Sequence, residues 1–156
     1  MIDILRARRQ EGEREEGFTL IELMVVVLII AILLAIAIPT FLGARKRAQD
    51  RAAQSSLRNA VTAAKTIYTD TSSYSGATAA ALPAVEPSLT YSDNVASTGA
   101  KNVSVLASDT VWSAAALSKS GKCFWIKEDT NAGTKFGTGA TCTGTAAAAA
   151  AADEFP

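Results

Sequence analysis

Six consecutive residues, Gly17-Phe18-Thr19-Leu20-Ile21-Glu22, hold the chemistry of this chain. Glu22 sits at the mouth of a stretch with no charged residue from Leu23 to Ala44, in which every residue from Leu23 to Ile38 is apolar. An ionised carboxylate at the edge of such a helix is costly unless it reaches water, takes up a proton or finds a cation. Cleavage of the peptide bond after Gly17 would supply that cation as the α-amine of Phe18, about one helical turn away. In a packed array the amine of one copy could reach Glu22 of its neighbour. That pair would gain most in a low-dielectric interior and would set axial register. A first-turn glutamate favoured by the helix dipole, with Thr19 as the cap, accounts for the same residue without processing. The two readings are compatible, and neither makes Glu22 a catalytic group.

The apolar stretch must be a helix, because lipid offers no partner to open backbone groups. Residues 23–44 span roughly 33 Å at 1.5 Å per residue, close to the thickness of a bilayer core. A buried helix of a soluble domain is the alternative, but a chain of 156 residues has little other apolar mass to surround such a rod. A secretory signal peptide is a second alternative, with Ala35-Ile36-Ala37 imitating its cleavage site. The length of the segment, its acidic N-terminal flank and its continuation into helix-forming sequence favour cleavage on the N-terminal side, after Gly17. Residues 1–17 carry Arg6, Arg8, Arg9 and Arg14, and Arg45, Lys46, Arg47 and Arg51 follow the span, so the basic-residue rule hardly fixes orientation. Pro39 removes one backbone donor and Gly43 follows one turn later, which predicts a loosened or kinked helix near residues 35–43. From Arg45 onward Leu57, Val61, Ala64 and Tyr68 form one apolar stripe, so a single helix of about 50 residues is expected.

Beyond residue 70 the composition turns to Ala, Ser, Thr and Gly, enough for a small domain. Short strands are predicted at Asn102–Leu106, Thr110–Ala115 and Lys122–Glu128, with Val103/Val105 and Trp112/Ala114 facing the helix. Trp112, Phe124, Trp125 and Ile126 are the large apolar groups available for its core. Cys123 and Cys142 would form one disulfide if the domain lies outside the cytoplasm; two free buried thiols are the alternative. Residues 143–152, almost pure Gly, Thr and Ala, predict a mobile or weakly packed tail. Formal net charge is zero, which supplies no global field for nucleic acid. Histidine is absent, which removes any Ser/His/Asp arrangement and, with two cysteines, argues against a zinc site. Asp93, Asp109 and Asp129 are scattered and lack calcium-loop spacing. No phosphate-cradling glycine motif is present. An enzyme, a cofactor, a metal and a small-molecule substrate are therefore not expected.

The block Gly17–Leu23, with its apolar continuation, resembles the cleavage and methylation motif of the type IV pilin and pseudopilin family. The resemblance implies an α+β fold in which the long N-terminal helix packs against a small antiparallel sheet, with a disulfide loop near the C-terminus. It implies a leader, residues 1–17, cut between Gly17 and Phe18 by a prepilin peptidase on the cytoplasmic side, and methylation of the Phe18 amine. Glu22 then takes the subunit-alignment position and Pro39 that of the helix-kinking proline. The expected organisation is a span and filament core over 18–44, an amphipathic helical half over 45–70 and a β domain over 71–156. Two departures stand out: the leader is long, and Glu16 stands where many relatives have Lys or Arg. Expected partners are copies of the chain, the peptidase, an assembly platform, other pilins and membrane lipid, with DNA involved only indirectly. The implied role is a pilus subunit that begins in the cytoplasmic membrane and ends in a surface filament for adhesion, motility or DNA uptake. A pseudopilin of a type II secretion or competence system is the alternative, and a lone membrane-anchored binding module a third reading.

Overall fold

A computed structural model describes residues 17–156, so the expected leader lies outside the described residues apart from Gly17. The chain forms two compact units, one ending at Phe41 and the other spanning Leu42–Pro156. A single helix, α1 (Leu20–Thr71), contributes to both.

In the first unit α1 is helical throughout, and its apolar stretch is long enough to cross a membrane, with none of it buried. Every large hydrophobic residue from Phe18 to Leu42 is between 48% and 85% exposed. The helical assignment continues through Pro39, where Thr40 donates its hydroxyl to the Ile36 carbonyl at 3.1 Å.

The second unit begins with the rest of α1 and adds a short 3₁₀ turn, Leu82–Ala84, and a five-stranded sheet. The strands are β1 (Thr90–Asp93), β2 (Asn102–Ala107), β3 (Val111–Leu117), β4 (Cys123–Asp129) and β5 (Gly133–Gly139), in spatial order β1-β2-β3-β4-β5. Strands β2 to β5 form an antiparallel meander, and β1 joins the edge parallel to β2. Helix α1 stops at Thr71 because Ser72 takes a left-handed conformation, φ 56°, while its N–H still reaches the Tyr68 carbonyl at 2.7 Å.

Strand alternation divides the side chains between two faces. On the inner face Val103, Val105, Trp112, Ala114, Phe124 and Ile126 form one cluster with Leu57, Val61 and Ala64 of α1. The small residues Ala53, Ala60 and Ala63 are also buried, and they let the helix lie close to the sheet. Trp112 is fully buried and donates its indole N–H to the Ala77 carbonyl at 3.0 Å, so its polar atom is satisfied. The outer face has its own small cluster, Ala115, Cys123, Cys142 and Ala147, with Leu117 and Trp125 packed against it. Trp125 therefore belongs to the opposite face from Trp112.

Three features differ from expectation. The strands predicted at 102–106, 110–115 and 122–128 are present with ends shifted by one or two residues, but β1 and β5 were not anticipated. Two of the three glycines of β5 (GTKFGTG), Gly137 and Gly139, lie under Trp125: a Cβ at Gly139 would fall 2.0 Å from the indole. The expectation of a weakly packed tail is corrected. Thr143 caps a one-turn helix, α2 (Gly144–Ala147), and Gly144, Ala147 and Ala150 are buried. Gly144 donates to Ser104 Oγ at 3.0 Å and accepts from Ser113 Oγ at 2.8 Å. Beyond it Ala152 exchanges two backbone hydrogen bonds with Phe136, which covers the β5 edge, and Phe155 packs on Phe124 and Phe136.

Candidate functional site

Gly17 and Phe18 directly precede α1, which Thr19 caps in concert with Glu22. Thr19 Oγ1 accepts from the Glu22 N–H at 3.2 Å. The Glu22 carboxylate accepts from the Thr19 N–H and the Thr19 hydroxyl, both at 2.8 Å. This reciprocal arrangement is a capping box, which satisfies two of the donors that every helix start leaves open. Phe18 is 85% exposed, and a Cβ at Gly17 would meet nothing within 4 Å. Both residues of the Gly17–Phe18 bond are thus exposed among the described residues. Phe18 is in peptide linkage here, so its α-amine does not exist until that bond is cut.

Chemically the site offers one carboxylate and one exposed Gly-Phe peptide bond. Among the described residues no group of three or more His, Cys, Asp or Glu is placed to hold a metal ion. Pro39 and Gly43 lie lower in α1, and a Cβ at Gly43 would make only an ordinary 3.6 Å contact with Arg47. Packing therefore does not demand glycine there.

In the second unit Cys123 and Cys142 are joined by a disulfide within the outer-face cluster. Asp50 is the residue that sequence reasoning undervalued. Its carboxylate accepts from the hydroxyls of Ser118, at 2.7 Å, and Ser120, with Lys122 at 4.0 Å. It ties α1 to the β3–β4 turn, a contact 68 residues away in sequence for which no local signal exists.

Comparison with known proteins bears on the same residues. The prokaryotic N-terminal methylation motif matches residues 14–38. The type IV wide pilus major component PilA4 of Thermus thermophilus is 39% identical over 111 residues, covering 67% of this chain and 83% of that protein. The type IV major pilin protein PilA of Myxococcus xanthus is 47% identical over 62 residues, 40% of this chain but 28% of that longer protein. No solved structure matches the chain. A capped carboxylate beside an open Gly-Phe bond, an uncovered apolar helix and a relative aligned over most of its length converge: this chain belongs to the type IV pilin and pseudopilin family.

Proposed function

We propose that the chain is a structural subunit of a type IV pilus, made as a single-pass membrane precursor and assembled through its N-terminal helix after loss of residues 1–17. One observation carries this reading. The helix from Leu20 to Leu42 has no covered face, although soluble proteins rarely leave large contiguous apolar patches in water. Two environments satisfy such a rod: lipid before assembly, and the same rods of other copies afterwards. Helices that lie parallel bury one another's apolar sides.

Cutting between Gly17 and Phe18 by a prepilin peptidase, followed by methylation of the new amine, prepares the exchange. Glu22 leaves its Thr19 cap and pairs with the Phe18 amine of a neighbour, which disfavours any register that would bury the carboxylate alone. Pro39 deletes the hydrogen bond to the Ala35 carbonyl, and with Gly43 it gives the helix a place to yield as it leaves the bilayer. An assembly platform and other pilins complete the partner set. The names of both relatives, a wide-pilus component and a major pilin, support the pilus over the pseudopilin.

The test is deletion followed by complementation with Gly17 and Glu22 variants. Wild-type chain should restore surface filaments. Gly17→Val should accumulate full-length precursor in the membrane, and Glu22→Ala should insert normally yet give few filaments. Loss of protein export or DNA uptake on deletion, without filaments at any expression level, would instead assign the chain to a pseudopilin.

A further inference from the structure

An open groove in the second unit is lined by cations. The groove encloses about 960 Å³ between α1 and the loop leading into β2. Ala48, Ala52 and Ala100 line it together with Arg45, Lys101 and Lys119; no acidic residue is in the lining, and Glu86, outside it, accepts from the N–H of the lining Ser88 at 3.1 Å. On another face of α1, Arg47 and Arg51 line a separate hollow with Asp50 and Lys122, and Asp50 is already engaged by Ser118, Ser120 and Lys122.

The opposite end of the unit is acidic. Asp70 lies at the end of α1, Asp109 in the β2–β3 turn and Asp129 where β4 turns into β5. Hydrogen bonds gather these turns: Ser73 Oγ to Asp109 Oδ1 at 3.1 Å, the Tyr74 N–H to the Asp109 carbonyl at 3.1 Å, and the Thr130 N–H to the Thr110 carbonyl at 3.0 Å. The segments Thr69–Gly76, Ser108–Thr110 and Asp129–Gly133 contain no Lys or Arg.

Strand register keeps the ends apart. Val111 pairs with Asp129 at one end of the β3–β4 ladder and Leu117 with Cys123 at the other, a separation of about 20 Å at 3.4 Å per residue. From Arg45 to Asp70 along α1 the distance is about 38 Å at 1.5 Å per residue. Both exceed the physiological screening length of about 8 Å, so the two ends do not neutralise each other within one chain. Copies in a polar polymer meet through two different surfaces, the same pair at every step. Such a polymer can bring the negative end of one head to the positive end of another.

We propose that the Arg45/Lys101/Lys119 groove is a docking surface for a second copy of this chain, which presents the Asp70 and Asp109 end of its own head. This inference deepens the filament reading and rests on it. Head-to-head contact then adds a salt-sensitive restraint on axial rise, separate from the apolar bundle of N-terminal helices.

Charge exchange in cells lacking the wild-type chain tests the proposal. One variant carries Lys101→Glu and Lys119→Glu, a second Asp70→Lys and Asp109→Lys, and a third all four changes. All four side chains belong to exposed residues, and oxidation of Cys123 with Cys142 reports folding in each variant. Filament yield is measured relative to processed subunit in the membrane. Each two-site reversal should lower that ratio about tenfold, and the four-site exchange should recover most of it. Unchanged yields, or a four-site variant no better than the weaker pair, overturn the proposal. A groove reversal that depletes the membrane pool, beside a silent Asp pair, also overturns it and assigns the groove to anionic lipid. A wild-type strain without filaments would remove the underlying filament reading, a different failure.

Discussion

Gly144→Ala should be among the most damaging single methyl additions in the second unit. A Cβ at this position would lie 2.5 Å from the Leu106 nitrogen and the Val105 carbonyl carbon, and 2.8 Å from the Val105 oxygen. These are backbone atoms of β2, held by the β2–β3 ladder, and they cannot turn aside. Restoring an ordinary 3.4 Å contact requires α2 to retreat by about 0.9 Å. The same movement stretches the Gly144–Ser104 and Ser113–Gly144 hydrogen bonds from 3.0 and 2.8 Å to about 3.9 and 3.7 Å, beyond useful range. Two buried hydrogen bonds and the accompanying loss of packing come to roughly 3 kcal/mol. Urea unfolding of the full chain in detergent should be followed by tryptophan fluorescence, because Trp112 and Trp125 both lie in the second unit. With an m value of about 1.5 kcal/mol/M the midpoint should fall by about 2 M. A midpoint within about 0.3 M of wild type would refute the reasoning, because β2 and α2 would then separate without cost.

The remaining predictions concern the same unit. Replacing Cys123 and Cys142 together by Ala should cost about 3 kcal/mol, mostly through the freed unfolded chain, and reduction of the wild type should lower the urea midpoint by the same amount. Tyr91→Phe should leave stability unchanged or raise it, since the Tyr91 hydroxyl is buried without a hydrogen-bond partner; a clear loss in urea would show a partner that the fold does not reveal. Burial pushes the Tyr74 and Tyr91 phenols from 10 up to about 12, with the Glu128 and Glu86 carboxylates adding to the respective shifts. Both favour the protonated form in the folded chain, so their contribution is complete below pH 10 and is lost as pH rises through the window from 10 to about 12. Absorbance titration near 295 nm should show two tyrosines ionising late, and normal ionisation of all three would contradict the burial.

Legibility in the sequence followed the range of the forces involved. The long helix, its cap and the motif residues were readable because apolar run length and i, i+3 side-chain contacts are local. The central strands were readable from Val103/Val105 and Trp112/Ala114 for the same reason. Strand β1 (TYSD) carries no alternation, and it is held by non-local contacts: parallel pairing to β2 and the Ala79 N–H donating to Asp93 at 3.0 Å. Strand β5 reads as a turn because it is glycine-rich: Gly133 takes a positive φ, and Gly137 and Gly139 lie against Trp125, whose position depends on β4. The alanine tail lacks large apolar groups, and its packing depends on Gly144 touching β2, about 40 residues earlier, a contact no local pattern encodes. For Asp50, sequence supplied only a lone acid among cations. Its hydroxyl partners arrive from a distant hairpin.

Mass analysis of subunits sheared from the cell surface bears most directly on whether the uncovered apolar helix becomes the core of a polymer. The expected material is fibrous and consists of chains that begin at a methylated Phe18, with residues 1–17 gone. Fibres built from chains that still carry Met1 would contradict it, as would a processed chain found only as a monomer in the membrane.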